Sequence, residues 1–435
     1  MTRDLCASHV RKVRGVVSAL AAVLACVGLC VPSAVASDGV DWRVDGMGVR
    51  DAWASGITGK GVKVAVLDNQ IVSDYPALAG ADVSYKLVTE GGQPCYLETG
   101  DGSVSSEPVS TDDPTVLSSS GYMMTHGTHM VSLIAGNGSG WDGGSGIQGI
   151  ASRASVIAYM LDADSKGNLG ELNMPLACRT QNNESTVQTI GPSVRDAVDS
   201  GARIINMSFG YGDVSDAIFR DYMLYALRHG VVMVSGRSNS SWAGLYDLVG
   251  APGTTDYFPG VVTVNAVDSA GNLQESSDVM DGNVSVLSPG VGVPSYRSTD
   301  SREMDLTGGG TSTAAANLSA YLALVMQRWP DATGNQILQS LIRNTKGNAS
   351  GGPKLDPEHK RGFGIVDPGK LLSVDPTRYP DVNPLLEWAV KTSGEHEETK
   401  GMYEYPSPLG RNGVADTDVF SPNGEGISVT VEASL

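Results

Sequence analysis

Three short segments of this 435-residue chain carry side chains whose types could together perform nucleophilic catalysis. Val64-Ala65-Val66-Leu67-Asp68 places a carboxylate at the end of an apolar, β-branched run. His126-Gly127-Thr128-His129 places an imidazole at the start of an apolar stretch. Gly310-Thr311-Ser312-Thr313-Ala314-Ala315-Ala316 places a hydroxyl after glycines and just ahead of an alanine- and leucine-rich run. A serine hydroxyl is a weak nucleophile until a base takes its proton. An imidazole can do this near neutral pH and later return the proton to a leaving amine. A buried carboxylate fixes the imidazole's tautomer and stabilises its charged form. A helix starting at Ser312 adds a favourable dipole.

Taken singly, each segment has a plainer reading. An aspartate ending a strand is commonly a cap or turn residue, and Gly-Thr-Ser is commonly a loop. His126 and His129, three residues apart, could face one metal ion and serve a metal-dependent hydrolase. Co-occurrence in the order Asp, His, Ser, each in a fitting local pattern, favours a triad of Asp68, His126 and Ser312.

The elements that must hold these residues alternate in type. Strands are expected at 62–68, 154–161, 202–207, 231–235 and 261–267, each short and β-branched. Helices are expected at 128–136, closed by Gly136, and at 192–200, opened by Pro192 and closed by Gly201. Further helices are expected at 214–229, 313–328 and 331–345. This alternation argues for a parallel sheet covered on both faces. Residues 79–121 and 162–190 are polar and read as surface inserts, and no fixed-period repeat stands out.

The ends of the chain differ in character. Arg3, Arg11, Lys12 and Arg14 precede an apolar run at 16–31 and an Ala34-Val35-Ala36 cleavage pattern, so residues 1–36 read as an export signal and Ser37 as the start of the mature chain. The run is shorter than a membrane span requires, and no later segment is apolar enough for one, so the mature chain is expected to lack a span and to be secreted. Loss of that segment takes the formal charge from −18 to −21. A chain this acidic is a poor partner for nucleic acid. Of five cysteines, only Cys95 and Cys178 remain, an even number expected to pair in an oxidising compartment; two separate thiols are the alternative. Residues 37–375 read as the catalytic domain. Residues 376–435, rich in proline and containing the acidic run Glu395 to Glu398, read as a tail.

At this level the chain resembles the subtilase family, peptidase S8, over about residues 41–372. Gly59-Lys60-Gly61 through Asp68 resembles the family's Asp segment, and His126-Gly127-Thr128-His129 through Ala135-Gly136 its His segment. Gly310 to Ala315 resembles its Ser segment. Supporting stretches are Ala202-Arg203-Ile204-Ile205-Asn206-Met207-Ser208-Phe209-Gly210 and Gly362-Phe363-Gly364-Ile365-Val366-Asp367. The resemblance implies a three-layer α/β/α subtilisin-like fold with a mostly parallel seven-stranded sheet. It also implies hydrolysis of protein or peptide substrates through an acyl-enzyme. The Asp, His, Ser order is the one documented for subtilisin. By the same resemblance, Ser208, Phe209 and Gly210 form an edge that pairs with an extended substrate. A monomer is expected.

The chain also departs from the family. Where the family supplies an asparagine as oxyanion donor, this chain has Ser235-Gly236-Arg237-Ser238-Asn239, which makes Asn239 the preferred donor and Arg237 the alternative. Asn69-Gln70 follow Asp68 where the family has a small residue and glycine; asparagine tolerates the left-handed turn expected there. Ala316 stands where proline is usual. Only 37–49 separates the signal from the domain, too little for a folded pro-domain. With the Cys95–Cys178 pair and the two inserts, this resembles the mycosins of type VII secretion systems. Asp162-Ala163-Asp164-Ser165-Lys166-Gly167-Asn168 partly resembles a calcium loop, but Lys166 and Asn173 occupy ligand positions. A plain turn is therefore expected, with no cofactor; structural calcium has no clear motif. The alternative function is a catalytically weak or inactive subtilase-fold protein that binds peptides.

Overall fold

The apolar run before Asp68 forms the strand Lys63–Asn69 (β1), which lies fully inside the molecule between two parallel neighbours. The computed structural model describes residues 41–99, 102–164, 175–209, 217–237, 255–274, 284–298, 300–348, 352–357 and 360–386. All of them fall in one compact unit, residues 35–435. The remaining strands of the central sheet are Val83–Lys86 (β2), Ser155–Asp164 (β3), Ile204–Met207 (β4), Val232–Gly236 (β5), Val262–Val267 (β6) and Val286–Pro289 (β7). They run parallel in the order β7-β6-β5-β4-β1-β3-β2. A two-residue antiparallel strand, Pro175–Leu176, is added at the end of β3.

Successive side chains of a strand point to opposite faces, and here both faces are apolar. Val64 and Val66 of β1, with Val232 and Val234 of β5, pack on one face against Met130, Leu133, Leu318 and Leu322. Ala65, Leu67, Ile205 and Met207 pack on the other against Val194, Ala197, Met223 and Ala226. The helices supplying these residues are His126–Ala135 (α1), Ile190–Asp199 (α2), Ala217–Arg228 (α3) and Thr311–Arg328 (α4). The result is the expected α/β/α sandwich. Helix α4 is central: Thr311 and every residue from Thr313 to Met326 are buried, which explains its run of alanines and leucines.

Local signals shift the expected boundaries. The helix expected from 128 begins at His126, because Thr125 accepts a hydrogen bond from the Thr128 amide as its N-cap. The helix expected from 313 begins at Thr311, so Ser312 lies inside its first turn. The helix expected over 331–345 is Gly334–Arg343 (α5), set by a capping box between Thr333 and Gln336. The hairpin Val291–Tyr296 (β8) and Met304–Gly309 (β9) leads into α4.

The inserts are more ordered than their polarity suggests. Val83–Lys86, inside the stretch read as a surface loop, is the edge strand of the sheet. Tyr96–Leu97 pairs antiparallel with Cys178–Arg179, so the first insert joins the second. Cys95 and Cys178 form a disulfide, Cα atoms 5.1 Å apart. A small apolar cluster of Leu87, Val187 and the two cysteines surrounds it. Residues 376–386, assigned to the tail from their prolines, pack on the domain instead. Gln339 donates to the Val382 carbonyl and Thr333 to Asp381, while Leu385 and Leu386 are buried.

Ahead of β1, the short helices Trp42–Asp45 and Val49–Ala54 lie against α4 and its surroundings. Arg43 is wholly buried there, bonded to Asp41, Asn317 and the Gln148 carbonyl. No helix among the described residues is long and apolar enough to cross a membrane. Residues 1–36, read from the sequence as an export signal, lie outside the described residues.

Candidate active site

Asp68 sits where β1 ends, at a break in register with β3 between Asp68 and Asn69. Its side chain is 5% exposed, and its Oδ1 accepts from the Asn69 amide at 2.8 Å. The His126 imidazole stands over it, with Nδ1 2.8 Å from Oδ1 and 3.0 Å from Oδ2. The imidazole itself is 42% exposed, so one side of the pair is sealed and the other is open to solvent.

Neighbours hold this pair rigidly. The Asn69 side-chain carbonyl accepts from the Gly127 amide at 2.6 Å, tying the residue after Asp68 to the residue after His126. Only glycine fits at 127: a Cβ there would stand 2.5 Å from the Asn69 carbonyl oxygen and 2.9 Å from Ile71. The Thr125 hydroxyl donates to the Gln70 carbonyl at 2.6 Å, and Thr128 Oγ1 accepts from the Val72 amide at 2.8 Å. Asn69 thus replaces the expected small residue by a different device. It is the last residue of β1 rather than a left-handed turn, and its side chain caps the histidine helix. The capping role of Thr125 and the bond from the Val72 amide to Thr128 were not read from the sequence, although a threonine just before a helix start is a recognisable cap signal.

Ser312 lies in the first turn of α4, partly buried. Its Oγ donates to the Ser208 carbonyl at 2.9 Å. Ser208 is the first residue after β4, and its own Oγ donates to Asn206 Oδ1 at 2.8 Å and to the Ser312 carbonyl at 3.0 Å. The Phe209 carbonyl accepts from Ser235 at 3.0 Å and from Thr255 at 3.1 Å. Gly210 and Asn239, expected at the substrate edge and the oxyanion site, lie outside the described residues.

Arg237 is placed differently from the alternative that made it an oxyanion donor. Its side chain is wholly buried, with Nη1 2.5 Å from Oδ2 of an equally buried Asp256. Its guanidinium thus engages Asp256 inside the domain. Asp256 was not singled out by sequence, and no local pattern marks it.

His129 also leaves the role of a metal ligand. It is buried, its Nε2 lies 3.0 Å from the Pro294 carbonyl, and burial lowers its pKa to about 4. The ring is therefore neutral at pH 7, with Nε2 donating to Pro294. Among the described residues, no group of three or more His, Cys, Asp or Glu side chains is arranged to hold a metal ion. Most of the calcium-like segment at 162–168 lies outside the described residues.

Comparison with known proteins agrees with this architecture. The model of the subtilase family, peptidase S8, matches residues 59–365. The minor extracellular protease Epr of Bacillus subtilis (strain 168) is 28% identical over 342 residues, covering 76% of this chain and 43% of that protein. The chain thus spans less than half the length of that relative. A thermostable alkaline protease of Halalkalibacterium halodurans is 28% identical over 343 residues, covering 77% of this chain and 74% of the relative. Among solved structures, the MycP3 protease from the type VII (ESX-3) secretion system matches with a TM-score of 0.52 and 26% identity, over 79% of this chain and 91% of that one. With the family model covering well over half of its length, the chain belongs to the subtilase family.

Proposed function

We propose that this protein is an exported serine endopeptidase in which Ser312 is the nucleophile, His126 the general base and acid, and Asp68 the residue that orients the histidine. The observation that carries the reading is the paired contact of His126 Nδ1 with the sealed Asp68 carboxylate, on the open side of which the imidazole is exposed. With its proton on Nδ1, the ring presents a lone pair at Nε2.

The Ser312 hydroxyl leaves the Ser208 carbonyl, gives its proton to His126 Nε2, and its oxygen attacks the scissile carbonyl carbon. The electron pair of the C=O bond moves onto oxygen. The Ser312 amide, at the helix N-terminus, is positioned to stabilise that charge, and Asn239 is the proposed second donor. Collapse breaks the C–N bond as His126 delivers the proton to the amine, leaving an ester on Ser312. Water then repeats the sequence, with His126 taking its proton, to release the acid.

Export rests on the basic and apolar pattern of residues 1–36 and on the Cys95–Cys178 bond, which persists in oxidising compartments. A more specific reading, a processing protease acting within a secretion system, is favoured by the likeness to MycP3 over nearly all of that chain.

The test is labelling of the purified protein with a fluorophosphonate, beside Ser312→Ala and His126→Ala. Labelling of the parent and loss in both variants is expected, with peptide hydrolysis falling by several orders of magnitude. A folded parent that takes up no label would establish the weak or inactive peptide-binding alternative.

A further inference from the structure

We infer that the buried Arg237–Asp256 pair is a positioning device for Ser312, acting through the backbone of Gly236. The inference rests on the catalytic reading above.

The pair is isolated from solvent on both sides, with 0% exposure of either side chain and 2.5 Å between Nη1 and Oδ2. Burying two charges is costly unless their geometry is well satisfied, and the net gain over an apolar pair is often nil. Such a pair is therefore better understood through the geometry it enforces than through stability. That geometry ends at the nucleophile. Gly236, the residue before Arg237, closes β5 so tightly on the start of α4 that a Cβ there would lie 3.1 Å from the Thr311 carbonyl group and 3.2 Å from the Ser312 nitrogen. The position of this backbone beside β6 is set from one side by the Arg237 amide, which donates to the Val264 carbonyl at 2.8 Å. It is set from the other by the guanidinium on Asp256.

Asp256 is itself fastened. Its carbonyl accepts from Thr263 of β6 at 2.6 Å. Its neighbour Thr255 and Ser235 both donate to the Phe209 carbonyl, with their hydroxyl oxygens 3.2 Å apart. One connected set of contacts thus links the end of β5, the turn at Thr255–Tyr257 and the residue after Ser208, and Gly236 within it packs against the backbone at Thr311 and Ser312. In this proposal Arg237 acts through the backbone rather than on substrate, and fixes where the Ser312 amide and hydroxyl stand. Its planar fork suits this role better than a lysine ammonium would.

The experiment compares the parent, Arg237→Lys, Asp256→Asn and the double variant Arg237→Met/Asp256→Leu. It reads the rate of fluorophosphonate acylation, kcat and KM on a peptide substrate, and the thermal unfolding midpoint. The single variants leave a strained or unpaired group and can unfold for that reason alone. The double variant replaces the pair by apolar side chains and is the decisive one. The expected result is a folded double variant whose acylation rate and kcat fall at least tenfold with KM unchanged. A folded double variant, or a folded Arg237→Lys, that acylates at the parental rate would overturn the inference while leaving the catalytic reading intact. Failure of the parent itself to label overturns the catalytic reading, a result readily told apart from the other.

Discussion

Ser208 and Ser312 exchange hydrogen bonds across the floor of the site: each side-chain hydroxyl donates to the other's main-chain carbonyl, at 3.0 and 2.9 Å. The first bond fixes the start of helix α4 to the end of β4. The second holds the Ser312 hydroxyl proton on a backbone acceptor. Replacing Ser208 by alanine removes the first and keeps the second. The expected cost is about 1 kcal/mol of stability, with a several-fold loss of kcat. Denaturant unfolding and steady-state kinetics check this.

The link between Asn69 and Gly127 makes a second prediction. Asn69→Ala removes the acceptor for an amide in the first turn of α1, where losing a cap costs about 1 kcal/mol. Gly127→Ala drives a methyl group into the Asn69 carbonyl and is expected to cost about 1–3 kcal/mol. Both displace the helix start that carries His126, so both lower kcat more than they raise KM. An unchanged kcat in a folded Gly127→Ala protein would contradict this.

His129 makes stability depend on pH. Burial lowers its folded pKa to about 4 from an ordinary 6.5, so between these values the unfolded chain binds a proton that the folded one refuses. Stability from this group is complete above pH 6.5. It falls as the pH drops toward 4, by about 3 kcal/mol at most. His129→Gln, which keeps a donor toward Pro294 but cannot titrate there, should flatten that part of the profile. Urea midpoints at pH 7, 5.5 and 4.5 measure it.

The disulfide closes a loop with a sequence separation of 83 residues and joins two inserts that also share a short strand pair and a few hydrogen bonds, such as Asn183 to the Gly102 carbonyl. In the chain-entropy account, a loop of that size stabilises by about 4–5 kcal/mol. Cys95→Ser/Cys178→Ser should unfold at lower temperature and should cleave a broader set of peptides, because the joined inserts extend from the same end of the sheet as Asp68. An unchanged cleavage profile on a peptide library would separate the two effects.

Much of this arrangement is legible in the residues. Asp68 closes an unbroken apolar run, which only a strand buried on both faces can use. Thr313 to Met326 has no polar face, which only a central helix can use. Other features are not legible because they depend on partners distant in sequence. Val83-Ser84-Tyr85-Lys86 is an edge strand, too short and too polar to stand out from the insert around it. Arg43 and Arg237 look like surface charges until Asn317 and Asp256 are brought to them. The direction in which Arg237 points decides whether it reaches substrate, and no local pattern encodes it. The helix starts at His126 and Thr311 were misplaced by two residues each; at His126 the Thr125 cap acts just outside the apolar periodicity that marks a helix, and at Thr311 a glycine precedes the start with no side-chain cap to mark it.

Arg43 has a consequence in time as well as in space. Its guanidinium meets Asn317, 274 residues later, and its carbonyl meets the Tyr321 hydroxyl, 278 residues later. A ribosome delivers the N-terminal segment first, yet its binding hole does not exist until helix α4 has been made. Such distant pairings form slowly, because the loop must close before any contact rewards it. The segment ahead of β1 therefore waits, unseated, while the strands of the sheet are being made, and docks only when helix α4 closes on it. The seat of the N-terminal segment is thereby complete only after the chain has been made through helix α4.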